Sequence, residues 1–557
     1  PMSASYPSPL SKRAFLGWVG ASAGATFLGG ATQAPGDVAH RPQGPRFNVR
    51  DFGAVGDGRQ LDTAAIQAAV DTAAKTGGGT VALPAGSYLS GTVFLKDHVE
   101  LYLEAGSVLL GSKDVEDYPE NRPAKRSWTD RLVNRSLVAG ERLKHIAIRG
   151  PGTIDGQGAG YGVKYLVRPY LIRFVECEDV LVEGVHLRNS AMWLQHYLAC
   201  DRVMLRGVTV FNFATRNNDG VDIDGCRDVC ISDCIFHCDD DGITLKSTME
   251  RPSENVVVTN CVVSTHCNAI KMGTESHGGF KNITISNCAI YPAQTPGFAH
   301  QEPRGQSGIA LMAVDGGHLD GVTICNVTMH DMDVPIFIRL GNRGRIFTDG
   351  IPKPEVGVVR NIKISHAVAT GAGARGCFLA GLPDHPIENL TLEDIQIGYA
   401  GGGTLEQARQ NIPENETGHP QVGMFGPALP AYGFFCRHVN HLALRYLHLL
   451  TSQPDLRPAL VCVAVKNLTI AGLDAPGSPG GEALMRLRQV QDALICDCQP
   501  AAPVDTFLRL EGENSRNVSV MGNGFAQVRE VAVTGSEVPP SALALIGNRL
   551  PDGAGGS

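Results

Sequence analysis

The sequence has no excess of basic residues. Its 557 residues include 48 Lys and Arg against 56 Asp and Glu, and the formal net charge is −8. A protein that wraps nucleic acid needs clustered positive charge to neutralise phosphates. The charge balance therefore argues against a nucleic-acid partner.

Long apolar runs are also scarce. Outside the N-terminal segment, no stretch of the sequence approaches the roughly 20 apolar residues that a membrane-spanning helix requires. The sequence therefore predicts no integral membrane association.

Cofactor motifs are missing as well. The sequence has no phosphate-binding loop, no dinucleotide fingerprint and no closely paired cysteines of the zinc-site type. We accordingly expect neither a cofactor nor a metal site.

The N-terminal segment has the layout of an export signal. A Lys-Arg pair within 11–16 is followed by an apolar, small-residue stretch that ends at 31–34. The pair and the Phe-Leu after it resemble a twin-arginine signal in which Lys12 replaces the first arginine. We expect a signal over 1–34, a linker over 35–44, and a periplasmic or secreted protein. A membrane anchor is the alternative, although five glycines interrupt the stretch.

A short alternating motif recurs through most of the chain. In each copy apolar and polar residues alternate over five to seven positions, which is a strand pattern. The first apolar position of each copy is Val180, Val203, Val229, Val256, Ile283, Val322, Ile362, Leu390, Leu442, Leu468, Ala493 or Val518. The first steps, 23 to 27 residues, match one coil of a β-solenoid. The sequence predicts one all-β parallel β-helix over 45–550 and a tail over 551–557.

A capping helix is expected before the repeats. Residues 62–71 begin with Asp and Thr, and glycines at 77–79 mark the stop. The apolar positions are Ile66, Ala69, Val70 and Ala73. Such a helix would cover the first coil, whose strand edges are otherwise unpaired.

Three segments interrupt the repeat, at about 290–318, 340–357 and 397–436. Long loops on a rigid coil commonly form binding walls. The aromatic stretch 424–438 is a candidate lid over one end of a cleft. Alternatively, it packs its aromatic residues onto the coil surface.

Cysteines recur at the repeat period. Cys234, Cys261 and Cys288 are 27 residues apart, which predicts a stack of buried, reduced thiols. A metal site built from Cys226, Cys230, Cys234 and Cys238 is the alternative, but their spacing lacks close pairs.

Carboxylates cluster in two adjacent repeats. Asp219 lies in 217–222, and Asp240 and Asp241 lie in 238–247, so one coil separates the two groups. Neighbouring carboxylates raise one pKa and leave another group ionised, which supplies the acid and base that glycoside hydrolysis needs. Turn chemistry or calcium binding is the alternative for an Asp-rich turn.

These residues, together with Gly150-Pro-Gly-Thr-Ile-Asp-Gly-Gln-Gly158, Asn189-Ser190 and Trp193-x-x-His196, resemble glycoside hydrolase family 28, the polygalacturonase family. Residues 48–58 are similar to the N-terminal cap of the wider pectinase-like group. The resemblance implies a right-handed parallel β-helix. It also implies an inverting hydrolase of pectin-type, galacturonate-containing or related plant polysaccharides. In such an enzyme, a lid at 424–438 would favour removal of terminal sugars.

The resemblance assigns roles to individual residues. It implies that Asp240 protonates the leaving oxygen while Asp219 and Asp241 orient and deprotonate a water. Asp222 and Asp239 are expected to be structural turn residues. The candidate substrate-binding residues are Asn217, Trp193, His196, Lys246, His266, Asn268, Lys271, Arg339 and Arg343.

Two departures from the family pattern affect substrate binding. Asn268 stands at the family's histidine position, with His266 two residues before it. The family binds a uronate with an Arg-x-Lys pair, and in this sequence Phe337 replaces the arginine and Arg339 replaces the lysine. This uronate clamp could be rebuilt by Lys271, Arg339 and Arg343, because a guanidinium group binds a carboxylate through two hydrogen bonds. Alternatively, these three residues are exposed charges or hydrogen-bond partners of a neutral sugar.

The sequence has two alternative functional interpretations. A polysaccharide lyase on the same solenoid would need a Lys or Arg base, and usually a calcium site. A non-catalytic carbohydrate-binding β-helix would bind glycans without turnover. Trp193 and His196 are compatible with sugar contact or with a partly buried core pair.

Overall fold

The computed structural model describes residues 44–298, 303–500 and 502–550. The predicted export signal, the linker up to residue 43 and the tail 551–557 lie outside these residues. Within the described part the chain forms 38 strands and two α-helices, which are α1 (Thr63–Lys75) and α2 (Leu405–Arg409).

The strands are β1 Arg46–Asn48, β2 Asp57–Leu61, β3 Gly79–Leu83, β4 Gly86–Ser90, β5 Val93–Phe94, β6 Val99–Leu103, β7 Ser107–Gly111, β8 Ser136–Glu141, β9 Lys144–Arg149, β10 Thr153–Asp155, β11 Tyr170–Val175, β12 Glu178–Glu183 and β13 His186–Arg188. They continue with β14 Gln195–Leu198, β15 Asp201–Arg206, β16 Thr209–Asn212, β17 Val221–Asp224, β18 Arg227–Ser232, β19 Ile235–Cys238, β20 Ile243–Ser247, β21 Ser253–Thr259, β22 Val262–Thr265, β23 Asn268–Ser276, β24 Gly279–Tyr291 and β25 Gly305–Ala313. The last are β26 His318–His330, β27 Met332–Leu340, β28 Val358–Ala372, β29 Cys377–Ala380, β30 Ile387–Tyr399, β31 Phe434–Thr451, β32 Leu460–Ala471, β33 Met485–Arg488, β34 Gln491–Cys496, β35 Val504–Glu511, β36 Arg516–Met521, β37 Val528–Thr534 and β38 Leu543–Ile546.

Each strand pairs in parallel with the corresponding strand of the coil before and after it. All twelve repeat positions predicted from the sequence pair in order, from Val180 opposite Val203 to Ala493 opposite Val518. The predicted parallel β-helix is therefore confirmed. One row of strands carries the site described below, and we call it face A: β5, β8, β11, β14, β17, β20, β23, β25, β27 and β29, continued by the start of β31.

Asparagine and aspartate mark a recurring bend in the coils. Asp228, Asn255 and Asn282 occupy the same position in successive coils, and their φ angles are 58°, 57° and 55°. These residue types tolerate the left-handed conformation better than most. The Asn282 amide donates to Asn255 at 2.8 Å, and the Asn255 amide donates to Asp228 at 2.8 Å, so the bends also stack.

Stacked aliphatic side chains fill the interior. Ile324 is fully buried and lies in register between Ile285 and Ile364. We expect Ile324→Ala to lower the free energy of unfolding by about 2–5 kcal/mol, because a cavity remains in a packed core. Urea unfolding measures the loss, and the exposed neighbour Thr323→Ala is the control, with an expected change within about 0.5 kcal/mol. Equal losses in both variants would contradict this packing.

The predicted capping helix is confirmed as α1. Its buried residues are Ile66, Ala69, Val70 and Ala73. Asp62, just before the helix, accepts hydrogen bonds from the backbone amides of Val55 and Gly56 at 2.8 and 2.9 Å. The cap is therefore tied to the loop that precedes it.

The insertions differ in part from expectation. Residues 341–357 and 400–433 are loops as predicted, the second with the short helix α2. The predicted insertion at 290–318 is wrong in its second half, because β25 occupies Gly305–Ala313. That strand is buried on both faces and lacks the alternation used to find the repeat.

The cysteine prediction agrees with the structure. Cys234, Cys261 and Cys288 are buried free thiols on successive coils, and Cys261 contacts both of the others. Within the described ranges, no helix is long and apolar enough to cross a membrane.

Candidate active site

Three aspartates meet where the strands of face A begin. Asp219 precedes β17, and Asp240 and Asp241 precede β20; the backbone amide of Gly220 donates to the carbonyl of Asp241 at 2.8 Å. Carboxylate oxygens of Asp240 and Asp241 lie within 4.8 Å of each other. The parallel register of the two coils therefore produces the cluster that the spacing predicted.

The three carboxylates differ in exposure. Asp219 and Asp241 are each 2% exposed, whereas Asp240 is partly exposed. Burial and the Asp222 and Asp240 carboxylates raise the pKa of Asp219 well above its ordinary value. The cluster thus combines buried carboxylates with one that faces the cleft.

Asp241 is held by two residues of the next coil. The Asn268 side-chain amide donates to its Oδ1 at 2.6 Å, and the Lys271 ammonium pairs with its Oδ2. Ser307 in turn donates to the Asn268 side-chain carbonyl at 2.7 Å. Asn268 and Lys271, both predicted to bind substrate, therefore hold Asp241, and their role toward substrate stays a prediction.

Lys246 is the buried cation on the other side of the cluster. Its Nζ lies 3.6 Å from Asp219, 3.4 Å from Asp222 and 3.6 Å from Glu275. Asp222 lies inside β17 rather than in a turn, so its prediction as a turn residue is wrong. Burial raises the pKa of Asp222 to about 7 although Lys246 opposes the shift.

Asp239, the other predicted turn residue, precedes β20. Its Oδ2 accepts a hydrogen bond from the backbone amide of Phe298 at 2.9 Å. The contact fits the expected structural role.

Trp193 and His196 lie beneath the site surface. His196 is fully buried, and its Nε2 lies 3.0 Å from Asp224. Burial lowers the pKa of His196 despite the Asp224 carboxylate. Trp193 is 5% exposed, and the Lys246 ammonium lies 4.2 Å from its ring centre. The structure therefore agrees with a buried pair and does not place His196 on the cleft surface.

Asn217 and His266 serve local contacts. Asn217 has a φ of 57°, and its side-chain carbonyl accepts a hydrogen bond from Arg168 at 3.1 Å. His266 Nε2 lies 2.8 Å from the Thr295 carbonyl oxygen. Both flank the carboxylate cluster in sequence, and their role toward substrate stays a prediction.

The structure does not bring the three proposed clamp cations together. Arg339 is 1% exposed and donates to the backbone carbonyls of Gly381, Glu414 and Asn415. It lies on β27, two coils beyond the coil of Lys271. The expectation that Arg339 helps to hold a uronate is therefore wrong, because its guanidinium is committed to the 400–433 loop.

Arg343 lies closer to the cluster. Its guanidinium pairs with Asp315 and donates to Thr274 at 3.0 Å, and it lies 3.9 Å from Glu275. Together with Lys271 it lowers the pKa of His419, after the larger effect of burial. Arg343 and Lys271 thus border the same part of the cleft.

Four residues around the cleft were not predicted from the sequence. Glu275 binds Lys246, and the Arg345 guanidinium donates to Glu275 at 3.0 Å. Trp128 lies beneath Arg345, with 4.9 Å between the guanidinium and the ring centre, and His419 lies 3.1 Å from Arg343. Glu275 lies on β23, whereas the other three lie in segments without a repeat signal.

The Glu275 carboxylate is surrounded by several cations. Burial opposes its ionisation, but Lys246, Arg343 and Lys271 outweigh burial and lower the pKa of Glu275. Glu275 therefore remains a carboxylate and links the Lys246 cluster to the arginines of the 341–357 loop.

Two insertions cover face A on either side of the cluster. Residues 112–135, the N-terminal wall, pack Val133 against Tyr170 and Trp193. Residues 400–433, the C-terminal wall, cover the strands that follow the cluster. Phe425 of this wall packs against Phe378 of β29, with ring centres 4.6 Å apart and the ring planes tilted by 33°. The aromatic side chain thus packs onto the coil.

The strands β17, β20 and β23 lie between the two walls. At about 4.8 Å between neighbouring coils, the three strands span about 10 Å from the first to the last along the axis. The N-terminal wall also meets the 341–357 loop, where Arg131 pairs with Asp349 at 3.0 Å. The N-terminal wall and the 341–357 loop therefore meet each other beside the cluster.

One group of potential metal ligands occurs within the described residues: Asp240, Asp241 and Cys267. Burial and the two carboxylates raise the pKa of the Cys267 thiol well above its ordinary value, which favours the neutral thiol. Lys271 already pairs with Asp241. This donor set fits proton transfer better than metal binding.

Comparisons with known proteins agree with this geometry. Residues 120–418 match the family described as glycosyl hydrolases family 28, and residues 46–107 match the family described as rhamnogalacturonase A/epimerase, pectate lyase-like. A probable polygalacturonase of Vitis vinifera is 28% identical over 374 residues, which are 63% of this chain and 74% of that protein. An exo-poly-alpha-D-galacturonosidase of Dickeya chrysanthemi is 25% identical over 305 residues, 44% of this chain and 50% of that protein.

The fold is shared with a solved structure, the hyperthermoactive exopolygalacturonase of Thermotoga maritima. The match has a TM-score of 0.55 at 20% identity and covers 73% of this chain and 92% of that one. The family match extends over more than half of the present sequence. The chain therefore belongs to glycosyl hydrolases family 28.

Proposed function

We propose that this glycoside hydrolase releases sugars from the ends of α-linked galacturonate polymers with inversion at the anomeric carbon. The observation that carries the proposal is the cluster of Asp219, Asp240 and Asp241, in which Asp240 alone is partly exposed. The names of the Vitis vinifera and Dickeya chrysanthemi relatives support the substrate class.

The roles follow from position. Asp240 faces the cleft and donates a proton to the leaving oxygen. Asp219 and Asp241, more deeply buried, hold a water between them, and Asp219 accepts its proton at pH values above the raised pKa of its carboxyl group. The water forms the new bond to the anomeric carbon as the glycosidic bond breaks, and the electron pair leaves with the protonated oxygen.

The two walls support action at chain ends. A polymer that lay across many coils would meet the 112–135 and 400–433 segments, which cover face A on both sides of the cluster. The cleft therefore accommodates a chain terminus better than the middle of a long chain.

The predicted outcome is release of galacturonate monomers or dimers from the first minutes of reaction on polygalacturonate. Product sizing by chromatography, beside a viscosity measurement, distinguishes the modes. Viscosity should fall slowly while reducing ends accumulate. An early ladder of long oligomers with a rapid viscosity drop would contradict end-specific action, and no release from any galacturonate-containing glycan would contradict the substrate class.

We also propose that the protein acts after export. The basic, apolar and small-residue pattern of 1–34 supports this proposal. Fractionation of cells that express the full chain, with mass spectrometry of the processed N-terminus, tests it. Retention of the unprocessed chain in the cytoplasm would contradict it.

A further inference from the structure

Lys246 occupies the centre of a buried charge cluster. Its side chain is 4% exposed, and the carboxylates of Asp219, Asp222 and Glu275 lie within 3.6 Å of its Nζ. The Trp193 ring covers another side of the ammonium. The group therefore contacts three carboxylates and an aromatic face, which leaves little room for a sugar.

Other cations neutralise the remaining carboxylates. Glu275 also pairs with Arg345 at 3.0 Å, and Asp241 pairs with Lys271. Within the described residues, Lys246 is the cation found within 4.0 Å of Asp219 and of Asp222. The single positive charge of Lys246 therefore compensates the two buried carboxylates of Asp219 and Asp222.

The polar atoms around Lys246 are sparsely hydrogen-bonded. Asp219 Oδ1, both carboxylate oxygens of Asp222 and Thr244 Oγ1 are buried and have no hydrogen-bond partner among the described residues. Isolated buried carboxylates are costly unless a charge compensates them. The Lys246 ammonium is the group that provides this compensation.

Resting on the proposed function, we propose that Lys246 is a positioning residue whose ammonium group, held by Asp222 and Glu275, fixes the orientation and charge of the Asp219 carboxylate toward the attacking water. This role differs from the sugar contact that the sequence suggested for Lys246.

The electrostatic surroundings agree with this role. Burial alone would lower the pKa of Lys246, but Asp222, Glu275 and Asp219 outweigh it and raise the pKa. The titratable groups around Lys246, Asp219 and Asp222 are Asp240, Asp241, Glu275, Lys271, His196, Cys238 and Tyr170, and Asp224 and Arg173 lie next to His196 and Tyr170. Among the described residues, Lys246 is the cation within 4.0 Å of both Asp219 and Asp222.

Two variants should move the pH profile in opposite directions. Lys246→Met removes the positive charge, so we expect the acidic limb of kcat/KM to shift upward by about 1–3 pH units, as for loss of an opposite charge at this distance. Asp222→Asn removes a like charge from Asp219, so the same limb should shift downward. KM should change less than kcat, because the proposed contact is with the base rather than with substrate.

Further variants separate this role from folding. Lys246→Arg keeps the positive charge, so the acidic limb of the kcat/KM profile should stay near its original pH even if kcat falls. The double variant Lys246→Met/Asp222→Asn preserves the local charge sum and should give an intermediate limb with a melting temperature above that of Lys246→Met. Lys363→Met, at an exposed pair with Glu393, is the matched control and should leave the profile unchanged.

A titration without substrate separates this inference from the proposed function. Carboxyl carbons of ¹³C-aspartate-labelled protein can be followed by NMR, with Asp219→Asn used to assign the signal. The pKa of Asp219 should rise in Lys246→Met and fall in Asp222→Asn. An unmoved Asp219 signal and an unmoved acidic limb in folded Lys246→Met would overturn the proposal. Shifts in the signal without hydrolysis by the unaltered protein would instead show that the proposed function is wrong.

Discussion

Asp240→Asn should lower kcat on polygalacturonate by about 10²–10⁴-fold, the usual contribution of a general acid. Asp240 is the partly exposed member of the carboxylate cluster, and an amide in its place cannot give a proton to the leaving oxygen. Steady-state release of reducing sugar measures the effect. Asp228→Asn is the control, because Asp228 is exposed and contacts Asn255 on another face of the helix.

The substrate distinguishes loss of the acid from a general defect. An aryl galacturonide with an acidic phenol as leaving group needs little protonation, so Asp240→Asn should retain much more of its activity on that substrate. An equal loss on both substrates, or full activity on the polymer, would refute the assignment of Asp240 as proton donor.

Asp219→Asn should also reduce kcat by about 10²–10⁴-fold, because the water loses a proton acceptor. Here the loss should be similar on the polymer and on the aryl galacturonide, since both reactions need the same water. The two variants differ in this respect because the partly exposed Asp240 is the proton donor to the leaving group, whereas the buried Asp219 is the proton acceptor from the water.

Melting temperature controls for folding in this second variant. Asp219 is buried beside Asp222 and Lys246, and replacement by Asn removes one repelling charge from this group. We therefore expect a melting temperature at least equal to that of the unaltered protein. Strong activity in Asp219→Asn on either substrate would show that another group activates the water.

The repeat was predictable because its signal is local. Val180, Val203 and Val229 recur at the length of one coil, and the stacking of coils places them opposite one another in the observed register. The α1 cap followed for the same reason, since its apolar spacing lies within one short segment. Strand β25 escaped detection because both of its faces are buried and its side chains do not alternate.

The site was predictable only in part. The spacing of Asp219 and Asp240 placed them on adjacent coils, but the partners of Lys246 depend on how three coils stack and on which side chains point outward. Arg339 followed from alignment to a family motif, whereas its actual contacts come from an insertion that carries no periodic signal. Trp128 was missed for the same reason, since it lies in the N-terminal wall.

The most direct test of the account is the anomeric form of the first product. Proton NMR during rapid hydrolysis of an α-linked galacturonate oligomer shows the newly formed reducing end before mutarotation. Hydrolysis by a water held between Asp219 and Asp241, with Asp240 as proton donor, predicts the β anomer first. Initial appearance of the α anomer would contradict the inverting mechanism.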